Sequence, residues 1–300
     1  MKPLSIILCA YNDSAYIRDC LNNLKNIIDG APLPIEVIIK NQASDNDSAP
    51  IIEAEFPWVR LIKGANVGLS KAYNMALEQA LHEFVLFLGT DAFPEKETIT
   101  GLVEYFESHS DVGAATCKLV LSDGSLDMDA HRAFPTPWIS FTKLTGLNKL
   151  FPKSTFFNGY FLPQENLDAP HEIDLLISHF MFTRKSLLLD LGGFDENFFL
   201  YGEDVDICYR IKQAGWKIMY LPQWTAKHLK GASLGIRKTT REKFKQPLKH
   251  RLKMQRLSAQ AMELFLQKHY MQKYPRVVVL LMIFSTRFLG KIRILLESLK

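Results

Sequence analysis

Apolar positions in the first third of the chain fall into short runs separated by stretches of helical spacing. Leu4–Ala10 is a compact apolar run of strand length that ends in the polar Tyr11-Asn12-Asp13-Ser14. Ser14 or Asp13 is placed to cap the next helix, whose apolar positions Ile17, Leu21, Leu24 and Ile28 have helical spacing. Further strands are predicted over residues 35–39, 59–62 and 84–88. A polar loop lies at 41–48, and Asn66-Val67-Gly68-Leu69-Ser70 leads into a helix over 71–81. This alternation predicts an α/β fold, with a mostly parallel central sheet flanked by helices and a ligand at the strands' carboxyl ends.

After a helix over 94–108 the rhythm loosens. Strands are expected at 112–120 and 175–182. Between them, residues 123–168 carry Pro135, Pro137, Pro152 and Pro163 among many aromatics. Long irregular segments inside a domain are uncommon unless functional, so this one is assigned to one wall of a cleft. From about Thr239 onward the chain reads as a helical extension broken near Pro247 and Pro275.

Composition narrows the class. Hydrophobic residues make up 47% of the 300 positions, enough for a sizeable core. Cys9, Cys20, Cys117 and Cys208 show no paired spacing, which favours reduced thiols in a cytoplasmic protein over a disulfide frame or zinc site. The N-terminal apolar run is short for a signal peptide, and no run reaches the ~18 apolar residues of a membrane span. The net charge of +4 hides a division, because residues 237–300 hold 16 Lys and Arg against 3 Asp and Glu. A basic tail on an acidic body points to a polyanionic neighbour, either anionic lipid or a pyrophosphate-bearing substrate. Nucleic acid is set aside, since no recognised reading module accompanies the basic stretch. Within the tail, Arg287, Lys291 and Arg293 are interspersed among Phe288, Leu289, Ile292, Ile294, Leu295 and Leu296. Such a segment either lies on an anionic membrane surface or packs back on the domain with a solvated basic face.

The densest chemistry lies between Gly192 and Asp206, where five carboxylates and four aromatics share fifteen residues. Crowded carboxylates raise one another's pKa unless a cation or a reacting proton holds them. Glu203-Asp204 is therefore a candidate general-base site in a water-poor cleft. The alternative is a capped helix start, its acids favoured by the helix dipole. Arg210 follows Asp206 by four residues, the spacing of a helical ion pair.

This stretch resembles the Gly-Gly-Phe-Asp-Glu and Glu-Asp-x-Asp signature of the family 2 glycosyltransferases, inverting sugar-nucleotide enzymes of the GT-A fold. Four further segments match in order, between about residues 4 and 235. The resemblance implies a glycosyltransferase domain over 1–236, with a nucleotide-binding half at 1–110 and an acceptor-binding half at 111–236. Residues 237–300 would form a basic helical C-terminal extension. Ala10, Tyr11 and Asn12 after the first strand, and Asn41 and Gln42 after the second, would flank base and ribose. Asn41 stands where the family usually has Asp; an amide can hydrogen-bond a base but supplies no charge. Asn66, Gly68 and Lys71 would present a helix N-terminus to carboxylate or phosphate.

In the same resemblance Thr90-Asp91 ends the fourth strand, and Asp91 would bind a Mg²⁺ or Mn²⁺ bridging the diphosphate. Gly89 replaces an acidic or amide residue common there. His228 would reach the same metal or the diphosphate, with Lys227 and Lys230 adding phosphate contacts. Asp204 would be the base that deprotonates the acceptor, with Glu203 positioning donor or acceptor. Ile177-Ser178-His179 stands where a Ser-Gly-Ala is frequent, and His131-Arg132 either binds sugar or phosphate or has no role. Over residues 111–270, including Ser258 and Lys268-His269-Tyr270, the resemblance is to the bacterial rhamnosyltransferase branch. The expected reaction moves a sugar, rhamnose from dTDP-rhamnose, onto a lipid-linked bacterial surface glycan with inversion. The expected place is the inner face of the cytoplasmic membrane, held peripherally through the tail. Alternatives are a UDP-hexose or UDP-N-acetylhexosamine dependent transferase, or a degenerate homologue that binds nucleotide or glycan without turnover.

Overall fold

A computed structural model describes residues 1–43, 47–229 and 247–298. Strand β1 (Leu4–Ala10) is buried along nearly its whole length, as a strand covered by helices on both faces must be. It pairs in parallel with β2 (Ile35–Asn41) and β4 (Phe84–Leu88), and β2 pairs in parallel with β3 (Arg60–Ile62). The crossovers run through α1 (Ile17–Gly30), α2 (Ala49–Glu55) and α3 (Leu69–Gln79). Helix α1 buries Ile17, Cys20, Leu21, Leu24 and Ile27 on one face. Its N-cap position is Tyr16, and the Asp13 carbonyl rather than a capping side chain accepts the Tyr16 and Ile17 amides.

Beyond β4 the sheet becomes mixed. Strand β8 (Phe180–Arg184) runs antiparallel to both β4 and β6 (Val112–Leu121), and β9 (Lys217–His228) runs parallel to β6. Short strands β5 (Ala92–Pro94) and β7 (His171–Glu172) add antiparallel to β9. The order is β3-β2-β1-β4-β8-β6-β9-β5. The parallel expectation thus describes the first half of the chain, and antiparallel pairing enters with the second. The strand expected over 175–182 begins only at Phe180; Leu175 instead makes an isolated bridge to Arg132. Helix α4 (Lys96–Ser108) covers one face of the sheet.

The irregular segment contains two short helices, α5 (Pro137–Thr145) and α6 (Leu147–Leu150). The Thr136 hydroxyl caps α5, Pro137 fills its first turn, and left-handed Gly146 ends it. After α7 (Lys185–Asp190) and α8 (Glu203–Gln213), the extension folds into α9 (Leu248–Phe265), a π-helical turn (Leu266–Tyr270) and α10 (Arg276–Ser298). The expected boundary at 236/237, the helix start near Thr239 and Lys230 lie outside the described residues.

Two apolar clusters lie on opposite faces of the sheet. One is built on α1 and α4; the other joins Tyr73, Phe87, Phe194 and Tyr209 to Phe265, Leu266, Tyr270, Val279 and Ile283. The C-terminal helices therefore share a core with the sheet. Among the described residues no helix is long and apolar enough to cross a membrane.

Candidate active site

The carboxyl ends of β1 and β4, the end of β9, the start of α8 and the flank of α9 surround a cavity of about 460 Å³. The chain enters α8 through Tyr201 and Gly202, both left-handed, with φ of 67° and 77°. A β-carbon on Gly202 would lie 2.9 Å from Cδ1 of Phe198, so this turn requires glycine on two counts. The result is a helix whose first turn aims Glu203 and Asp204 into the cavity and buries Asp206 behind it.

The three acids have different company. Glu203 accepts a hydrogen bond from Ser178 Oγ at 2.8 Å, while its Oε2 is buried without a partner. Burial and the neighbouring Asp204 charge push Glu203 up to about 8. Asp204 pairs with Arg132, Oδ2 to Nη2 at 2.9 Å, and its Oδ1 accepts the Val205 amide. Arg132 is held by the Leu176 carbonyl at 3.2 Å and by backbone bonds to Leu175, with the Tyr160 hydroxyl at 3.4 Å. Asp206 accepts from Arg210 at 2.8 Å and from His269 and Lys268, each at 2.7 Å. Burial alone would raise Asp206, but His269, Arg210 and Lys268 bring it down to about 2. One motif thus divides in two: Glu203-Asp204 face the cavity, and Asp206 clamps the C-terminal helices.

On the side of β1 and β2, Tyr11, Gln42, Asn66 and Gly68 line the cavity. Gln42 braces the 66–68 turn, its Oε1 accepting the Val67 amide at 2.8 Å and its Nε2 donating to the Gly68 carbonyl at 3.2 Å. A β-carbon on Gly68 would meet the Phe199 carbonyl oxygen at 2.6 Å, and that oxygen accepts the Leu69 amide at 2.7 Å. Ala10 pairs with Asn41 across β1 and β2, and Asn12 makes the left-handed turn after β1. The Asn41 amide donates to Asp47 at 2.8 Å. Thr90 is buried beside Asp13, whose carboxyl burial pushes up to about 6 against the lowering effect of the Ser48 and Thr90 hydroxyls. Lys71 pairs with Glu196 at 3.1 Å on the surface. Of the expected residues, the structure gathers Tyr11, Gln42, Asn66, Gly68, Asp91, Glu203, Asp204 and His228 around one cavity. Ala10, Asn12, Asn41, Lys71 and Thr90 stay outside its lining.

The pairing of β5 with β9 sets Ala92 opposite His228 and so brings Asp91 beside it. Asp91 Oδ1 lies 3.6 Å from His228 Nε2, and His228 Nδ1 lies 2.8 Å from Asp127 Oδ2. Burial opposes charge on His228, but the two carboxylates push it up to about 9. Burial likewise opposes the Asp91 carboxylate, and His228 with His179 outweighs it and leaves Asp91 below its usual range. A β-carbon on Gly89 would lie 2.7 Å from Cδ2 of His179 and 2.9 Å from Asp91 Oδ1. The two departures at Gly89 and His179 are therefore one feature, since the ring uses the space the glycine leaves. Among the described residues no group of three His, Cys, Asp or Glu side chains is arranged to hold a metal. Asp91 and His228 still offer one carboxylate and one imidazole, a donor pair that fits a divalent cation completed by phosphate oxygens.

An α/β sheet with a cavity at its strand ends, an acid after the fourth strand and a second acidic turn opposite defines the GT-A class of sugar-nucleotide transferases. Residues 5–191 match the profile of glycosyl transferase family 2; the chain belongs to that family and is a glycosyltransferase. It is similar to the rhamnosyltransferase WbbL of Escherichia coli K12, 25% identical over 233 residues that cover 74% of this chain and 82% of that one. It is equally similar to the N-acetylglucosaminyl-diphospho-decaprenol L-rhamnosyltransferase of Mycobacterium tuberculosis, 25% identical over 245 residues, 77% of this chain and 78% of that one. Among solved structures it resembles the Pyrobaculum calidifontis mannosyltransferase PcManGT in complex with GDP-Man and Mn²⁺. The TM-score is 0.55 at 16% identity, covering 98% of this chain and 72% of that one, which establishes the shared fold.

Several site residues carry no local sequence signal. Arg132 reaches Asp204 across 72 positions and Asp127 reaches His228 across 101. Ser178, Tyr160 and the α9 residues Met254 and Phe265 likewise meet the site only through the tertiary fold.

Proposed function

We propose that this glycosyltransferase moves a sugar, with inversion, from a nucleoside diphosphate donor onto a lipid-linked bacterial surface glycan, and that the donor is dTDP-rhamnose. The names of these two rhamnosyltransferase relatives support rhamnose as the sugar, and the decaprenol in the second supports a lipid-linked acceptor. The observation that carries the reaction is the Glu203-Asp204 turn facing Asp91 and His228 across one cavity. Asp204 takes the proton of the acceptor hydroxyl as its oxygen bonds to the anomeric carbon. The bond from that carbon to the diphosphate oxygen breaks on the opposite face. Arg132 holds Asp204 in the attacking geometry. Glu203, kept protonated by burial, donates a hydrogen bond to a sugar hydroxyl. Tyr11, Gln42, Asn66 and Gly68 form the nucleotide wall, shaped from behind by Ala10, Asn12, Asn41 and Thr90. Lys71 would reach a phosphate by leaving Glu196.

Asp91 and His228 are the residues that would hold Mg²⁺ or Mn²⁺, which when bound neutralises charge on the departing diphosphate. The basic tail would rest on the inner face of the cytoplasmic membrane. Substituting Asp204→Asn should lower transfer by about 10²–10⁴-fold, with nucleotide binding intact. Binding is read as a thermal shift with dTDP, UDP, GDP and CDP, with and without Mn²⁺. A nucleotide at ~100 times its dissociation constant adds roughly 2.7 kcal/mol. No shift with any nucleotide overturns the donor reading, a shift with UDP alone moves the donor to a UDP-sugar, and wild-type transfer by the variant overturns the base.

A further inference from the structure

Helix α10 is apolar on two opposite sides. Val279, Ile283 and Gly290 are buried, and Gly290 lies so close to α9 that its β-carbon would be 3.0 Å from Ala259 Cβ. On the far side Val277, Leu281, Phe284, Phe288 and Leu295 recur at helical spacing, each 55–69% exposed. They form a stripe about 27 Å long at 1.5 Å per residue. A stripe of this size facing water requires a partner.

A second exposed apolar group stands next to it, because α10 packs against α5. Trp138, Phe141, Leu144 and Leu150 of the α5–α6 hairpin, with Phe151 and Phe156 in the turns that follow it, are 38–70% exposed. Trp138 stacks on Phe141 at 5.5 Å and meets Phe156 at 4.7 Å, with its indole N–H donated to the Phe156 carbonyl at 2.6 Å. The Thr136 cap and the left-handed Gly146 fix both ends of α5, so these rings are presented on a built element.

Charge identifies the occupant. Residues 137–157 hold Lys143, Lys149 and Lys153 and no acid. Helix α10 holds Arg276, Arg287, Lys291 and Arg293, and its one acid, Glu297, is paired with Arg251. A second copy docking face to face would set like charges against each other. Arg287 is paired with Glu263 of α9, and the remaining cations leave the face net positive. Aromatic and aliphatic side chains framed by such an excess of cations suit the interface of an anionic bilayer. The hairpin also leads into the site: Lys143 Nζ lies 3.7 Å over the Tyr160 ring, whose hydroxyl is 3.4 Å from the Arg132 that holds Asp204.

We propose that the α5–α6 hairpin and the outward stripe of α10 together form one bilayer-contacting face that sets the acceptor side of the cavity against anionic lipid. The purpose of this face rests on the lipid-linked acceptor proposed above, but its existence is tested independently. The full chain is floated with vesicles of phosphatidylcholine alone or with phosphatidylglycerol added. Two variants follow, Leu281→Gln/Phe284→Gln in the stripe and Leu144→Gln/Leu150→Gln in the hairpin, all at exposed positions. Wild type should float with the anionic vesicles, and each variant should lose about tenfold in partitioning, with thermal melts and nucleotide-induced shifts unchanged. A hairpin variant that floats like wild type overturns the two-part face, as does a wild type indifferent to anionic lipid. A wild-type dimer that both variants dissociate makes the face a subunit contact and overturns the bilayer. Failure of nucleotide binding would instead strike the proposed reaction and leave the flotation result standing.

Discussion

Replacing Gly89 by alanine puts a methyl group 2.7 Å from His179 Cδ2 and 2.9 Å from Asp91 Oδ1. Gly89 is not among the residues with left-handed φ, so the backbone accepts alanine and the cost is one of packing. Overpacking of this kind costs about 1–3 kcal/mol, relieved only if the imidazole or the carboxylate moves. His179→Ala alone removes a ring from the cavity wall and should cost about 1 kcal/mol. With both substitutions the 2.7 Å conflict disappears, while the Asp91 contact remains. The double variant should therefore recover about 1–2 kcal/mol relative to the sum of the single ones. Urea denaturation of all four proteins measures this coupling from midpoints at constant m. Nucleotide-induced thermal shifts in parallel should be weakest for Gly89→Ala, because it displaces Asp91. Stabilities that add within about 0.5 kcal/mol would show that His179 is not what keeps residue 89 a glycine.

Arg132→Met should lower the rate of transfer by about 10–100-fold with donor binding little changed, and Arg132→Lys should restore part of it; an equal loss of donor binding would refute a positioning role. Asp206 sits near 2 against an ordinary 3.8, which contributes about 2 kcal/mol at neutral pH and is lost as pH falls through that window. Urea melts should accordingly show wild type ahead of Asp206→Asn at neutral pH, with the gap narrowing below about pH 4; a constant gap refutes the clamp. Glu203, raised from 4.5 to about 8, has the opposite sign. Its contribution is present below pH 4.5 and lost as pH rises towards 8, so Glu203→Gln should gain on wild type between about pH 5 and pH 8.5. Parallel stability curves for the two proteins would contradict the buried carboxyl.

The first half of the sheet is legible in the sequence because strands covered on both faces read as unbroken apolar runs. Both β1 and β4 appear at their expected residues. Strand β9 gave no such signal. Its apolar run Ile218–Leu221 is only four residues long and is cut off by Pro222, which argues against a strand. The structure accommodates Pro222 by a register shift, with Cys117 opposite Leu221 but Lys118 opposite Thr225. Leu175-Leu176-Ile177 reads as a strand and is instead a crossing loop that delivers Ser178 to Glu203. Within the site, what lies on one turn of helix was legible, including the Asp206–Arg210 pair. What arrives from a distant element was not, and so Arg132 stood in the sequence between binding sugar or phosphate and having no role, with nothing to link it to Asp204. Lys71 shows the same limit: its place before a helix suggests phosphate, and nothing local announces its pairing with Glu196 on a remote loop.

The wall that α9 gives to the cavity has a practical bearing on how this enzyme can be recombined. Met254, Ser258 and Phe265 line the site, and four residues further on His269 holds the reverse side of the turn that carries Asp204. A fragment ending before α9 would keep Asp91, Glu203, Asp204 and His228 and lose one side of its reaction vessel. Water would then enter, and donor hydrolysis would compete with transfer. Grafting this chain's acceptor preference onto a relative accordingly calls for moving residues 203–213 and 248–283 as a single cassette.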